Sequence, residues 1–142
     1  MAPFNRNKAL KWEEFTPVKI LIIEDDNEIV ESISLAFQFY WPEAQLLSTH
    51  LGRDGVKLVK KEAPDAIILD LGLPDINGLD VLKKIRRFSS IPVIILTART
   101  YESDVVNTLK EKANDYMAKP FKQLELLKRL KALVARQVAS SL

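Results

Sequence analysis

The sequence predicts an α/β fold in which a parallel β-sheet carries helices on both of its faces. Short apolar runs rich in β-branched residues alternate about five times with stretches in which apolar residues recur at helical spacing. The continuously apolar run Val18–Ile23 is typical of a strand that is buried on both faces. Strands that alternate with helices favour a parallel sheet, because each helix returns the chain to the start of the next strand.

Five runs of residues mark the predicted strands. In chain order they are Val18–Ile23, Ala44–Ser48, Ala66–Leu69, Pro92–Leu96 and Asp115–Ala118. The second and the fifth of these runs predict short strands.

Helices are predicted after each strand from apolar residues three or four positions apart. Proline limits two of them, since the first stops near Pro42 and the second ends before Pro64. The positions that mark the five helices are Ile29, Ile33, Ala36, Phe37 and Tyr40; Val56 and Val59; Leu79, Leu82 and Ile85; Val105, Val106 and Leu109; and Leu126, Leu127, Leu130, Leu133, Val134 and Val138.

The length and composition fit one globular domain with a short extension. The chain has 142 residues, of which 47% are hydrophobic and 28% are charged, as in ordinary soluble proteins. We expect an N-terminal extension over residues 1–17, a domain over 18–138 and a tail over 139–142. The extension contains Phe4, Leu10, Trp12 and Phe15, and is either a partly ordered tail or a short helix that docks on the domain or a partner.

Several classes of function are excluded by composition. The chain has no cysteine, which excludes disulfides and Cys-based metal sites. Its net charge of +2 is too small to indicate nucleic-acid binding. No apolar run approaches the roughly 20 residues that span a bilayer, and the N-terminus lacks a hydrophobic signal region. We therefore expect a cytoplasmic protein that binds neither nucleic acid nor membrane directly.

Polar side chains follow four of the predicted strands. They are Glu24, Asp25 and Asp26 after the first strand, Asp70 after the third, Thr97 after the fourth and Lys119 after the fifth. The carboxyl ends of parallel strands meet at one edge of the sheet, where ligands of such folds bind. Taken singly, Asp25 or Asp26 fits a helix N-cap and the others fit loop or strand-end residues. Their joint placement after four strands instead indicates a site.

The charges at this edge predict a divalent cation. Two carboxylates about 4 Å apart repel each other by roughly 4 kcal/mol at an effective dielectric constant of about 20. Lys119 offsets only one of these negative charges. A few carboxylate oxygens together with water are the ligands that Mg²⁺ prefers. A carboxylate is also a nucleophile towards phosphorus, and Thr97 and Lys119 are suited to bind phosphoryl oxygens.

Four stretches carry a resemblance to a known family. KILIIEDDNEI, PDAIILDLGLPDINGLDVLKKIR, IPVIILTAR and NDYMAKPF resemble the receiver domain of two-component response regulators, and the likeness covers roughly residues 18–138. The resemblance implies a flavodoxin-like, doubly wound sheet of five parallel strands in the order 2-1-3-4-5, flanked by five helices.

The resemblance also implies a phosphorylation site. Asp70 would accept a phosphoryl group from a histidine kinase in a reaction that requires Mg²⁺. Asp25, Asp70 and the backbone carbonyl of Gly72 would bind the metal directly, and Glu24 would bind it through a water molecule. Asp26, next to the acidic pair, is interpreted as a helix-start residue.

Further roles follow from the same resemblance. Thr97, the backbone N–H of Ala98 and Lys119 would bind the phosphoryl oxygens, and Lys119–Pro120 would be a cis peptide. Thr97 and Tyr116 would form the conformational switch. The chain would be a signalling phosphoacceptor with no enzymatic activity beyond its own Mg²⁺-dependent phosphorylation and dephosphorylation.

The expected partner is a sensor histidine kinase or a phosphotransfer protein. A homodimer through the face formed by residues 100–136 is also possible, with Asp115 and Arg129 pairing across it. Asp115 and Arg129 are shared with the winged-helix group of DNA-binding regulators, which form such a dimer. Two other positions differ from that group, because Lys110 and Val105 stand where it would have an acid and a base.

Two other classes of function remain open from the sequence. A Mg²⁺-dependent phosphatase with an aspartate nucleophile usually needs a second acid two residues after the nucleophile, where this chain has Gly72. A flavin-binding module of related topology would need a phosphate-binding loop after the first strand, where this chain has three acids.

Overall fold

The computed structural model describes residues 17–98 and 103–141, in which five parallel strands form one sheet. The strands are β1 (Lys19–Ile23), β2 (Gln45–Thr49), β3 (Ala66–Asp70), β4 (Val93–Thr97) and β5 (Asp115–Ala118). Their order across the sheet is β2-β1-β3-β4-β5, which confirms the predicted topology. The ends of the predicted strands lie within about one residue of the observed ends.

The helices occupy the predicted places between and after the strands. They are α1 (Asn27–Tyr40), α2 (Gly52–Glu62), α3 (Gly78–Arg86), α4 (Ser103–Lys112) and α5 (Gln123–Ser141). The side chain of Asn77 caps α3 by accepting a hydrogen bond of 2.7 Å from the Leu79 N–H. Ala63 ends α2 in the left-handed region, with φ of 46°.

Alternating strand residues divide the core into two apolar layers. Ile20 and Ile22 of β1 pack on one face of the sheet with Phe37 of α1 and residues of α5. Leu21 and Ile23 point to the other face, which α2, α3 and α4 cover. These four strand side chains are fully buried, and burying each such side chain stabilises the fold by about 1.5–3 kcal/mol.

The strand register aligns the carboxyl ends of the central strands. Ile23 pairs with Leu69, and Asp70 at the end of β3 pairs with Leu96 of β4. Thr97 pairs with Ala118 at the end of β5. The residues that follow these strands therefore lie along one edge of the sheet.

Some of the sequence predictions fall outside the described residues. Residues 1–16, with the four apolar side chains of the extension, are among them, and the domain limits of 18 and 138 stay a prediction. Within residues 17–98 and 103–141, none of the helices has both the length and the apolar character needed to cross a membrane.

Candidate functional site

Three carboxylates form a cluster at the carboxyl edge of the sheet. Glu24, Asp25 and Asp70 each offer an oxygen, and these oxygens lie within 4.8 Å of one another. Glu24 is fully buried and Asp70 is only 6% exposed, whereas Asp25 is exposed. The cluster is thus sunk into the sheet edge and open to solvent on the Asp25 side.

Lys119 supplies the positive charge of this site. Its Nζ lies 2.7 Å from Glu24 Oε1 and 3.5 Å from Asp70 Oδ1. The Lys119 N–H donates a 2.8 Å hydrogen bond to the carbonyl of Thr97, which ties the end of β5 to the end of β4. The Lys119–Pro120 peptide is cis, as the resemblance implied.

Burial and incomplete charge compensation change the acidity of these groups. Burial raises the pKa of Glu24 to about 7, against the hydrogen bond from Lys119, which lowers it, and with a further increase from the charge of Asp70. Burial alone would lower the pKa of Lys119, but its hydrogen bond to Glu24 and the two nearby carboxylates outweigh this, so its pKa is raised. One ammonium group thus faces three carboxylates.

Backbone N–H groups orient two of the carboxylates. Asp26 N donates to Glu24 Oε2 at 3.2 Å, and Gly72 N donates to Asp70 Oδ1 at 3.2 Å. The side chain of Asp26 turns away from the cluster and caps α1, accepting from the backbone N–H of Glu28 at 2.9 Å. The interpretation of Asp26 as a helix-start residue is therefore confirmed.

A glycine at the start of α3 allows close packing against the Asp70 backbone. A Cβ atom on Gly78 would lie 2.4 Å from the carbonyl oxygen of Asp70 and 2.5 Å from Cα of Leu71. The Gly78 N–H donates instead to the Leu71 carbonyl at 2.9 Å. Only glycine fits here without moving the backbone of the site, a requirement that the sequence alone did not reveal.

Thr97 and Ala98 lie at the same edge of the sheet. Thr97 is the last residue of β4 and is only 4% exposed, and Ala98 after it is exposed. Tyr116 lies one strand over on β5, with 45% of its surface exposed, and is not a member of the acidic cluster. The structure thus places the predicted switch aromatic in an outward position.

Asp115 and Arg129 form an ion pair within one chain. Arg129 Nη1 lies 3.0 Å from Asp115 Oδ1, and Arg129 Nε lies 3.1 Å from Glu125 Oε2. These contacts raise the pKa of Arg129, with the Glu125 hydrogen bond as the largest cause. The predicted pairing across two copies is not tested by this contact and stays a prediction.

Sequence reasoning missed a cap that joins the β3–α3 loop to α2. Asp75 Oδ1 accepts from Gly52 N at 2.8 Å, and Asp75 Oδ2 accepts from Arg53 N at 2.9 Å. These hydrogen bonds lower the pKa of Asp75, the one from Arg53 being the largest cause. Asp75 lies 23 and 22 residues after Gly52 and Arg53 in the chain. The sequence around α2 therefore contains no local motif that predicts this cap.

Comparison with known proteins identifies the family. The sequence profile of the response regulator receiver domain matches residues 20–131. The chain belongs to this family. It is a receiver domain of two-component response regulators.

One relative and two solved structures illustrate the similarity. The transcriptional regulatory protein KdpE of Mycobacterium tuberculosis is 40% identical over 124 residues, which cover 86% of this chain and 53% of KdpE. The receiver domain of the Francisella response regulator 1452 matches with a TM-score of 0.76 and 30% identity, over 85% of this chain and 98% of that one. The receiver domain of the sensor histidine kinase PA1611 of Pseudomonas aeruginosa PAO1, solved with a magnesium ion in its active site cleft, matches with a TM-score of 0.74 and 29% identity, over 84% of this chain and 98% of that one.

The chain spans about half the length of the curated relatives it matches. The similarity to them therefore concerns the receiver domain.

Proposed function

We propose that this receiver domain is switched by transfer of a phosphoryl group to Asp70. The observation that carries the proposal is the cluster of Glu24, Asp25 and Asp70 with Lys119 beside it. The phosphoryl donor is a sensor histidine kinase or a phosphotransfer protein, and the acceptor is a cytoplasmic signalling domain.

We assign the role of nucleophile to Asp70. It ends the central strand β3, and its contacts with Lys119 and Gly72 are both made to Oδ1. Those contacts leave Oδ2 to attack phosphorus. The attack forms an O–P bond and breaks the N–P bond of a phosphohistidine, so that the imidazole of the donor leaves.

The donor set fits magnesium. Glu24, Asp25 and Asp70 provide carboxylate oxygens within 4.8 Å of one another, and the carbonyl of the neighbouring Gly72 adds a fourth oxygen in the proposal. All-oxygen ligation with few carboxylates suits Mg²⁺ rather than Zn²⁺. When bound, the ion supplies positive charge against the negative charge of the carboxylates and the phosphoryl oxygens.

The remaining polar groups would bind the transferred phosphoryl group. Lys119 already contacts Asp70 Oδ1 at 3.5 Å, and an added phosphoryl group brings negative charge close to its ammonium. The Thr97 hydroxyl and the Ala98 N–H lie at the end of the adjacent strand. These groups stabilise the charge on the equatorial oxygens, and phosphoryl transfer depends chiefly on such stabilisation.

The output follows from a movement of Thr97 towards the new oxygens. That movement vacates space beside β4, which Tyr116, now 45% exposed, can fill by turning inward. The switched surface is made by α4, β5 and α5, where a partner protein or a second copy would bind. In a second copy, Asp115 and Arg129 would exchange their present intrachain ion pair for one across the interface.

Mass spectrometry of the intact chain tests the proposal. Incubation with acetyl phosphate and Mg²⁺ should add one phosphoryl group to the wild type and none to Asp70→Asn, because an amide is a poor nucleophile. Asp26→Asn is the matched control and should be labelled normally, since Asp26 serves as a helix cap. Labelling of Asp70→Asn would refute the assignment, and turnover of a generic phosphate ester without a modified protein would indicate a phosphatase instead.

A further inference from the structure

A groove lies where α1 ends and β2 begins, far from the acidic cluster. Its volume is about 340 Å³, and its apolar wall includes Phe37, Trp41, Ala44 and Leu46. The Trp41 ring stacks on Phe37 with centroids 5.6 Å apart and planes inclined by 13°. The Nζ atom of Lys131 lies 5.3 Å from the centre of the same ring. We call this depression the α1–β2 groove.

The chain enters the domain at the rim of this groove. Val18 packs against the same apolar cluster as Trp41 and Leu46, and its carbonyl accepts a 2.7 Å hydrogen bond from Gln45 N. An extended chain spans at most about 3.3–3.6 Å per residue, so the covalent chain limits the distance between Phe15 and Val18 to about 10–11 Å. The segment that precedes residue 17 is therefore joined to the domain beside the groove.

The apolar residues of the tethered segment match the groove. Trp12 and Phe15 are large aromatic side chains close to the tether point, and the groove offers Trp41 and Leu46, which are only partly buried. Burying aromatic side chains against such a wall stabilises an intramolecular contact.

The charges of the segment fit the two sides of the groove. Residues 1–11 contain Arg6, Lys8 and Lys11 and no acid, and the nearest charged residue of α1 before the groove is Glu31. The two acids of the segment, Glu13 and Glu14, directly follow Trp12, and Lys131 lies beside the Trp41 ring that Trp12 would contact.

We infer that residues 1–16 bind to the α1–β2 groove of their own chain, with Trp12 and Phe15 against the Trp41 wall. The short tether favours this occupant over a second copy or another protein, because a short linker gives an effective concentration of about millimolar. The groove lies at the opposite end of α1 from the acidic cluster, a separation of about 20 Å for 14 residues. The inference therefore does not depend on phosphorylation.

Tryptophan fluorescence of the full-length chain provides the test. The chain has two tryptophans, so Trp41→Phe leaves Trp12 as the single emitter. We expect Trp12 to emit at shorter wavelength, and to be quenched less by acrylamide, than in the same chain unfolded in urea. Adding Gln38→Arg or Ala44→Arg, which place a charged side chain at the groove, should shift the emission towards that of the unfolded chain.

The controls separate the possible occupants. Ser90→Arg, an exposed position in the α3–β4 connection, should leave the emission of Trp12 unchanged. Because Trp41 forms the wall, Trp12→Phe provides a second readout with Trp41 as the single emitter, and adding Phe15→Ser should increase its quenching by acrylamide. Unchanged quenching of Trp41 in that pair would overturn the inference. Shielding of Trp12 that both groove variants leave intact, while circular dichroism shows them folded, would also overturn it. Shielding that grows with protein concentration would assign the groove to a second copy and would also overturn it.

Discussion

Replacing Arg86 with methionine removes a set of hydrogen bonds that join two connections of the domain. Arg86 Nε donates to the carbonyl of Lys112 at 2.7 Å, and Nη1 donates to the carbonyls of Ile91 at 2.7 Å and Ser89 at 3.3 Å. Nη2 donates to Asn114 Oδ1 at 3.1 Å. Burial lowers the pKa of Arg86, but the guanidinium remains charged at neutral pH. The side chain therefore fastens the end of α4 to the α3–β4 connection.

The loss of stability can be worked out from these bonds. Hydrogen bonds from charged donors contribute about 1.5–3 kcal/mol each, and the two bonds at 2.7 Å are the strongest. Methionine retains much of the apolar stem, and water can reach some of the abandoned carbonyls. We expect the free energy of unfolding to fall by about 2–4 kcal/mol for Arg86→Met. With a urea m-value of about 2 kcal/mol/M, the midpoint should fall by about 1–2 M.

Urea denaturation followed by far-UV circular dichroism measures this change. Arg87→Met is the matched control, because Arg87 is exposed and its side chain makes no hydrogen bond or ion pair with the described residues. That variant should stay within about 0.5 kcal/mol of the wild type. Arg86→Lys should recover only part of the loss, since lysine lacks the planar fork. Equal effects of Arg86→Met and Arg87→Met would refute the reasoning.

Three further predictions concern the backbone, the metal and pH. Ala63→Gly should raise the free energy of unfolding by about 0.5–1 kcal/mol, because glycine adopts the left-handed backbone at φ of 46° without strain. The control Ala132→Gly, inside α5, should lower the free energy of unfolding by about as much. Urea denaturation that shows no gain for Ala63→Gly would contradict this. Asp25→Ala should weaken Mg²⁺ binding measured by calorimetry. Asp26→Ala should mainly lower the free energy of unfolding, by about 0.5–2 kcal/mol, because it removes a helix cap. If Asp26→Ala weakened Mg²⁺ binding more than Asp25→Ala, the metal ligand would be Asp26. The pKa of Glu24 is raised to about 7, so protons compete with Mg²⁺ for this carboxylate below that pH. The affinity for Mg²⁺ should therefore fall by up to about tenfold per pH unit as the pH drops below 7. An affinity for Mg²⁺ that stays constant between about pH 6 and 8 would argue against a titrating Glu24.

Much of the fold could be predicted from the sequence because each strand is marked by its own short run of apolar residues. The first strand is a continuous apolar run, as expected for a strand of a parallel sheet that is buried on both faces. Once the strands are placed, the rule that their carboxyl ends share one edge brings Glu24, Asp70 and Lys119 together without knowledge of any distance. The 2.7 Å contact between Lys119 and Glu24, which are 95 residues apart, is what that rule anticipates.

The features that could not be predicted depend on contacts between loops. Arg86 reads as one more basic residue in the last turn of a helix, yet its acceptors include residues 26 and 28 positions away. Asp75 reads as a turn residue but caps α2 from a distance. Ala63 adopts a positive φ that usually selects glycine or asparagine. For Arg86 and Asp75, contacts with residues distant in the sequence determine the conformation, and the local sequence does not reveal them.

Locating the phosphoryl group on the chain tests the central claim most directly. Borohydride reduces an aspartyl phosphate to homoserine, which peptide mass spectrometry can assign to a single position after treatment with acetyl phosphate and Mg²⁺. The account predicts homoserine at position 70, with Asp25 and Asp26 unmodified. Homoserine at either of those neighbouring acids, or a phosphoryl group on any other residue, would contradict it.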